Sequence, residues 1–434
     1  MEEQHLRVYE NRSEYVHADG TRETFQEGNQ SKAAATRAAH ITQSLNSGYL
    51  EKLIEEISEG KQIANTAIIP TILQDNIRAL VDSMTSEVGR ALIGLTVLQL
   101  TIKALSPEQC IRLHKGGKRS NGFSWAEGIS MRTIDKSYIT PILRRFNLLS
   151  LNADGVMMTR GLAENYPYSS LYKAQLRGAK EQWLAIVEFL ETQQCNAEEA
   201  LKYLIKLLID RASGFAKLAD ETIAIWEEKS LKITTKSAVL SVLIKHRDSS
   251  DYAARLLEIS MHSLCQAATE CNAIAFELNP LSQMRSANKK HGNVGDIEFL
   301  DGRSIVEAWD AKYGKTYLRE ELEELHEKLT EHPDVARTGF VTSEQPMLNE
   351  EIVKRMDELE SLHDVTIEII RFEKWVDDIF DKCISTDIIT EADLAKKWLE
   401  AYTLSLAQKK RDIAPIDEPC GAWLKLLNEQ LSNL

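Results

Sequence analysis

The 434-residue sequence contains no apolar run approaching the roughly 18 residues that a membrane-spanning helix needs. Its first residues, MEEQHLRVYENRSEY, lack the apolar stretch of a signal peptide. Both absences lead to the expectation of a cytoplasmic protein with no membrane partner. Cysteine is scarce and scattered: Cys110, Cys195, Cys265, Cys271, Cys383 and Cys420 form no CxxC pair and stand beside no histidine cluster. Zinc-site spacing and a disulfide framework are thereby excluded, which leaves reduced, structural thiols. Internal repeats and low-complexity tracts are missing too. His114-Lys-Gly-Gly-Lys-Arg119 has the glycines and cations of a phosphate loop without the GxxxxGK[ST] spacing of a nucleotide-binding one, so a flexible basic loop is the better reading.

What remains is a globular composition, 43% hydrophobic and 27% charged, with length enough for two or three domains. Positive charge is in deficit overall, the formal net charge being −14. The deficit is uneven. Between Lys103 and Lys180 the sequence carries thirteen Lys and Arg against five Asp and Glu. A basic segment inside an acidic chain is the electrostatic footprint of a nucleic-acid-binding module, or else a solvated basic face.

Residues 1–30 are polar, with a small hairpin expected around His17-Ala-Asp-Gly20. From Ser31 to about Ala104, and again from 180 to about 280, apolar residues recur at three and four, which predicts helices. After Pro280 the period switches to alternation. In the basic segment, SYITPILRRFNLLSLNADGVMMT places Ile139, Ile142, Leu143 and Phe146 on the inward side of a short helix and Arg144 and Arg145 outward. Two apolar runs split by Asn-Ala-Asp-Gly follow, a hairpin signal. Helix then hairpin is the outline of a winged helix, whose helix enters the major groove. Thr140-Pro141-Ile142-Leu143-Arg144-Arg145 resembles the recognition helix of MarR-type regulators, with Asn147-Leu148 where their Gly-Leu turn stands.

The stretch GDIEFLDGRSIVEAWDAK, residues 295–312, carries the chemistry. Asp296 to Leu300 alternates, Asp301-Gly302 turns, and Ser304 to Lys312 alternates again. Period two puts Val306, Ala308, Asp310 and Lys312 on one side of the second strand and Ile305, Glu307, Trp309 and Ala311 on the other. Pairing around Asp301-Gly302 would bring Asp296 close to Asp310 and Lys312. Two hard carboxylates suit Mg²⁺, with the Ala311 carbonyl as a further ligand, and a neighbouring lysine can position or deprotonate a water and offset developing charge. Such a site is suited to hydrolysing a phosphodiester. Of three [DE]xK triplets in the chain, Glu59-Gly-Lys61 and Glu227-Glu-Lys229 lie in helical text, and only Asp310-Ala-Lys312 follows an acidic strand.

This arrangement is similar to the PD-(D/E)xK nuclease superfamily, and particularly to type II restriction endonucleases, many of which begin the first catalytic strand with Gly-Asp-Ile/Val. The resemblance covers about residues 251–375 and implies an α/β (α+β overall) fold: a helical N-terminal part with a winged-helix-like segment, then an αβββαβ core with a mixed central sheet, then C-terminal helices. The segments are 1–105, helical; 106–180, winged-helix-like recognition; 181–250, a helical connector; 251–378, the nuclease core; and 379–434, C-terminal helices that pack the core or a second subunit. The resemblance assigns Asp296, Asp310 and Lys312 to catalysis, with Asp296, Asp310 and Ala311 on Mg²⁺. Glu270 is the added helix acid, and Glu258 its rival. Double-stranded DNA is expected to contact Lys115, Lys118, Arg119, Arg132, Lys136, Arg144, Arg145, Asn288, Lys289 and Lys290. A two-fold DNA site calls for a homodimer, and a cognate DNA methyltransferase would act on the same site without stable binding. Two alternatives accompany this expectation: a repair or methylation-dependent nuclease of the same superfamily, and a non-catalytic winged-helix regulator.

Overall fold

The computed structural model of the chain describes residues 3–84, 89–118, 122–149, 151–193, 195–281, 292–385, 388–409 and 419–433. It is a mixed α and β protein that divides into two compact units, Met1–Gly214 and Phe215–Leu434, where the sequence was read as five segments. Among the described residues no helix is long and apolar enough to cross a membrane.

In the first unit the polar N-terminus forms a three-stranded antiparallel sheet, β1 (His5–Val8), β2 (Arg12–Val16) and β3 (Arg22–Gln26). The hairpin expected at His17 to Gly20 joins β2 to β3, and β1 adds a strand to it. Helices α1 (Lys32–Asn46), α2 (Tyr49–Ser58), α3 (Thr71–Asp82) and α4 (Arg90–Leu105) follow. Helix α4 is apolar around its circumference, so it becomes the central helix, buried without a break from Leu92 to Lys103. Its few polar groups are satisfied inside: Gln99 accepts from Trp183 Nε1 at 2.9 Å, and Lys103 pairs with Glu191 at 2.9 Å. One hydrophobic core runs from Ile41 to Leu208, uniting the segments before and after residue 105.

The winged-helix expectation is corrected here. Residues 131–145 are helical, as α5 (Met131–Ile134), a π turn (Asp135–Ile139) and α6 (Thr140–Arg145), with Arg144 and Arg145 exposed. Asn147, at φ 53°, supplies the left-handed residue that a glycine would, and Leu148 N–H reaches back to the Leu143 carbonyl at 2.9 Å. No wing follows. The described residues from 148 to 158 form turns and one 3₁₀ turn, Val156–Met158. Leu148, Leu149, Leu151, Val156 and Met157 are all buried, whereas a wing would alternate. Leu151 and Val156 pack on α4 at Gly94, where a Cβ would lie 2.8 Å from Val156 Cγ1. The buried Asp135 carboxylate accepts the Met157 N–H at 3.1 Å and the Thr140 hydroxyl at 2.7 Å, satisfying backbone that a partner strand would otherwise pair. Helix α7 (Lys180–Thr192) follows, and the division between the units falls within α8 (Ala197–Ser230).

The second unit continues with α9 (Lys236–Asp248), α10 (Ala253–Glu270), β4 (Glu277–Leu278), β5 (Ile297–Asp301), β6 (Ser304–Lys312), α11 (Arg319–Glu331), β7 (Arg337–Thr342), α12 (Glu350–His363) and β8 (Thr366–Arg371). Helices α13 (Phe372–Ile384), α14 (Glu391–Leu404) and α15 (Cys420–Ser432) complete it. The sheet order is β4-β5-β6-β7-β8, antiparallel through β6 and parallel from β6 to β8. Strand β4, two residues long, is too short to show a period, and it adds a third strand before α11, so the element order after α10 is βββαβαβ. Each face of the sheet has its own core. Ala308, Phe340 and Ile369 pack with Leu322 of α11 and Leu359 of α12, while Ile297, Trp309 and Val341 pack with α10, α13, α14 and α15. The C-terminal helices thus bury their apolar faces, including Trp398, Trp423 and Leu427, in the core of their own unit.

Candidate active site

The candidate site grows out of the β5–β6 hairpin. Asp301 pairs with Ser304 and Leu300 with Ile305, but Phe299 pairs with Glu307, so Val306 is an extra residue in a β-bulge. The bulge resets the faces. Ile305 joins the core under α11 and α12 and Val306 packs on the opposite one, the reverse of simple alternation. From Glu307 onward the expected parity holds: Asp310 and Lys312 share the side of Ala308, and Trp309 faces the other core, its Nε1 donating to Glu307 at 2.7 Å.

Ile297 pairs with Trp309, so Asp296, one residue before β5, comes opposite Asp310. Gly295 is required at this approach, because a Cβ there would lie 2.6 Å from the Trp309 carbonyl oxygen. Asp296 Oδ2 accepts the Ala311 N–H at 3.0 Å, and Lys312 Nζ stands 2.8 Å from Asp310 Oδ2. An extended residue aims its N–H and C=O at the same neighbour, so the Ala311 carbonyl faces the Asp296 edge as well. The three expected residues are therefore together, and the side chains of Asp310 and Lys312 are each only 17% exposed.

Burial, the charge of Asp310 and the charge of Glu258 push the Asp296 carboxyl well above the usual carboxylate range. Burial also pushes Asp310 up, but the Lys312 ammonium and a hydrogen bond from Asp296 outweigh it and hold Asp310 below its ordinary value. The two carboxyls are thus driven in opposite directions, Asp296 up and Asp310 down. Burial would lower Lys312, but Asp310, Asp296 and Glu321 together outweigh it and raise the ammonium above its ordinary value.

The helix acid at the site is Glu258, not Glu270. Glu258 lies within Coulombic reach of Asp296 and pairs with the buried Arg255. Glu270 ends α10, exposed and bonded to Gln266 at 2.7 Å, about 18 Å along the helix from Glu258. Two further residues stand behind the pair. Glu298, which alternation puts on the side of Asp296 and leaves either supporting the site or exposed, is 3% exposed and bonded to backbone N–H groups just before Asp296. Lys328 of α11 donates to the Val294 carbonyl at 3.0 Å, and its charge helps hold Asp310 down.

Among the described residues no group of three or more His, Cys, Asp and Glu forms a ready-made metal cage. Asp296 and Asp310 with the Ala311 carbonyl fit Mg²⁺ nevertheless, because this ion is held through one or two carboxylates and keeps several waters. Two half-buried carboxylates in contact require a proton or a cation between them, and the raised Asp296 expresses that requirement.

The expected DNA-contacting residues are placed unevenly. Lys118, Arg132, Lys136, Arg144 and Arg145 are exposed, while Lys115 is half-buried, bonded to Asn165, with Arg132 close enough to lower its pKa after burial has done so. Lys136 pairs with Asp154 at 2.9 Å, and Arg145 lies 3.7 Å from Glu51. Arg112, counted in the basic excess, is wholly buried against Glu23 and Glu188. Arg119, Asn288, Lys289 and Lys290 lie outside the described residues. No family model and no curated protein matches the chain.

Proposed function

We propose that the protein is a Mg²⁺-dependent endonuclease that hydrolyses phosphodiester bonds in double-stranded DNA, with a PD-(D/E)xK-type core and the character of a type II restriction enzyme. The observation that carries this reading is the convergence of Asp296, Asp310 and Lys312 where β5 begins and the central strand β6 ends, joined by the 3.0 Å Ala311–Asp296 bond and the 2.8 Å Lys312–Asp310 pair. The element order from α10 through β7, αβββαβ, supports it further. Bound Mg²⁺ would polarise the scissile phosphate and acidify a water. The chain's own residues do the rest. Asp296, Asp310 and the Ala311 carbonyl would hold the ion, and the Lys312 ammonium would orient the attacking water and offset charge developing on the phosphate. Duplex DNA would meet the exposed cations Lys118, Arg132, Arg144 and Arg145 of the first unit. A two-fold recognition sequence would call for a homodimer, and a companion methyltransferase would protect that sequence.

The deciding experiment incubates the full chain with unmethylated phage DNA, with Mg²⁺ or with EDTA. Discrete bands that require Mg²⁺ are expected. DNA cut only when methylated would move the reading to a modification-dependent nuclease, and intact DNA under every condition would overturn it.

A further inference from the structure

The turn that delivers Asp296 is held on both of its polar edges. Glu298 Oε1 accepts the Val294 N–H at 2.7 Å and the Gly295 N–H at 3.3 Å, and its Oε2 accepts the Asn279 side-chain amide at 2.8 Å. From the other direction Lys328 Nζ donates to the Val294 carbonyl. The Val294 side chain is buried in the core under α11 and α12, and Gly295 abuts the Trp309 carbonyl. A carboxylate is acceptor-only, and this one, 3% exposed, is satisfied by three donors, two of them the backbone amides immediately before Asp296. Burying an ionised group is costly unless its bonds are made. Glu298 at the next same-face position of the strand therefore has a structural reason to be a carboxylate only if the turn must be held in this one conformation.

We infer that Glu298 is a positioning residue that fixes the Val294–Asp296 turn and so sets the Asp296 carboxylate at the distance from Asp310 at which the pair can take a divalent cation. The inference rests on the proposed metal-binding role of Asp296 and Asp310 but not on the substrate being DNA. Loss of the second carboxylate oxygen frees one of the three donors, lets the turn relax, and weakens the ion's hold without touching an atom that binds it, in the manner of outer-sphere partners at metal sites.

The test uses the full chain and Mn²⁺ alone, with binding followed by electron paramagnetic resonance of the free ion. Glu298→Gln, folded by circular dichroism, is expected to bind Mn²⁺ about tenfold more weakly than the wild type. In DNA cutting it should show a raised Mg²⁺ requirement with kcat at saturating Mg²⁺ nearly kept. Should Glu298→Gln fail to fold, Asn279→Ala removes only the side-chain donor and is expected to weaken Mn²⁺ binding about threefold. Wild-type affinity in a folded Glu298→Gln, or in the Asn279→Ala substitute, overturns the inference, as does a wild type that binds no Mn²⁺. A wild type that binds Mn²⁺ but cuts no DNA overturns the nuclease reading instead, and the Mn²⁺ comparison of the variants still decides the role of Glu298.

Discussion

The two units differ most in charge. Residues 1–214 hold 25 Lys and Arg and 25 Asp and Glu, whereas residues 215–434 hold 27 against 41, so the whole net charge of −14 belongs to the second unit. That acidic unit contains the two carboxylates and the lysine, and the neutral one contains the exposed arginines of α6. A polyanion would be repelled by the second unit's average field and met by cations on the first. The proposed chemistry and the proposed electrostatic capture therefore fall on different parts of one chain, which makes the two separable by mutation.

The largest expected effect is on chemistry alone. Asp310→Ala should lower DNA cutting by more than about a thousandfold, measured on gels, while gel retardation in Ca²⁺ stays at the wild-type affinity. An active Asp310→Ala would remove the catalytic role from the second unit. Next comes acid stability, in which the two units are expected to behave alike. His246 of the second unit, bonded to the Tyr402 hydroxyl at 2.7 Å and the Trp423 carbonyl at 2.8 Å, is pushed by burial down to about 4, and so is His114 of the first, stacked on Tyr168. A folded pKa below the unfolded one stabilises fully above about pH 6.5, and that stability drains as pH falls toward 4, by up to about 3 kcal/mol per histidine. Urea unfolding at pH 7 and pH 4.5 should show the loss, and His246→Gln should roughly halve it, the share of His114 remaining; an equally steep dependence in that variant would show that His246 is not a source of it.

A smaller effect is expected on capture. Arg144→Ala with Arg145→Ala should weaken duplex binding about tenfold at moderate salt and reduce the slope of log affinity against log salt by about one to two, the lower figure if Glu51 already neutralises Arg145. An unchanged slope would take the DNA surface away from α6. The smallest effect sharpens the site itself: Glu270→Ala should leave cutting within about twofold of wild type, while Glu258→Gln, which removes a charge near Asp296, lowers it about tenfold. Equal effects would put the helix acid back in doubt between them.

Much of the β5–β6 hairpin was legible because period two, an Asp-Gly turn and the charged residues Asp296, Asp310 and Lys312 constrain one another. The helices were legible from their three-and-four spacing. Elements whose signal is not periodic were lost. Strand β4 has two residues, and the wing predicted after α6 had the turn signal of a hairpin but five buried apolar residues, two of which, Leu151 and Val156, meet α4 at Gly94. Glu258 and Glu270 look alike in sequence and are separated only by the direction α10 takes past the sheet. Glu298 reads either as a support of the site or as an exposed strand acid, since its partners, Asn279 and the backbone of Val294 and Gly295, become donors only once the turn is folded.

The bulge at Val306 gives one strand two grades of tolerance to insertion and deletion. A residue added or lost between Asp301 and Val306 falls where the ladder is already irregular and side-chain parity is already reset. The same event between Glu307 and Asp310 would exchange the faces, driving a carboxylate into the tryptophan core and an indole into the site. Length variation among descendants of this sequence should therefore collect at the tip of the hairpin and stop three residues short of the chemistry.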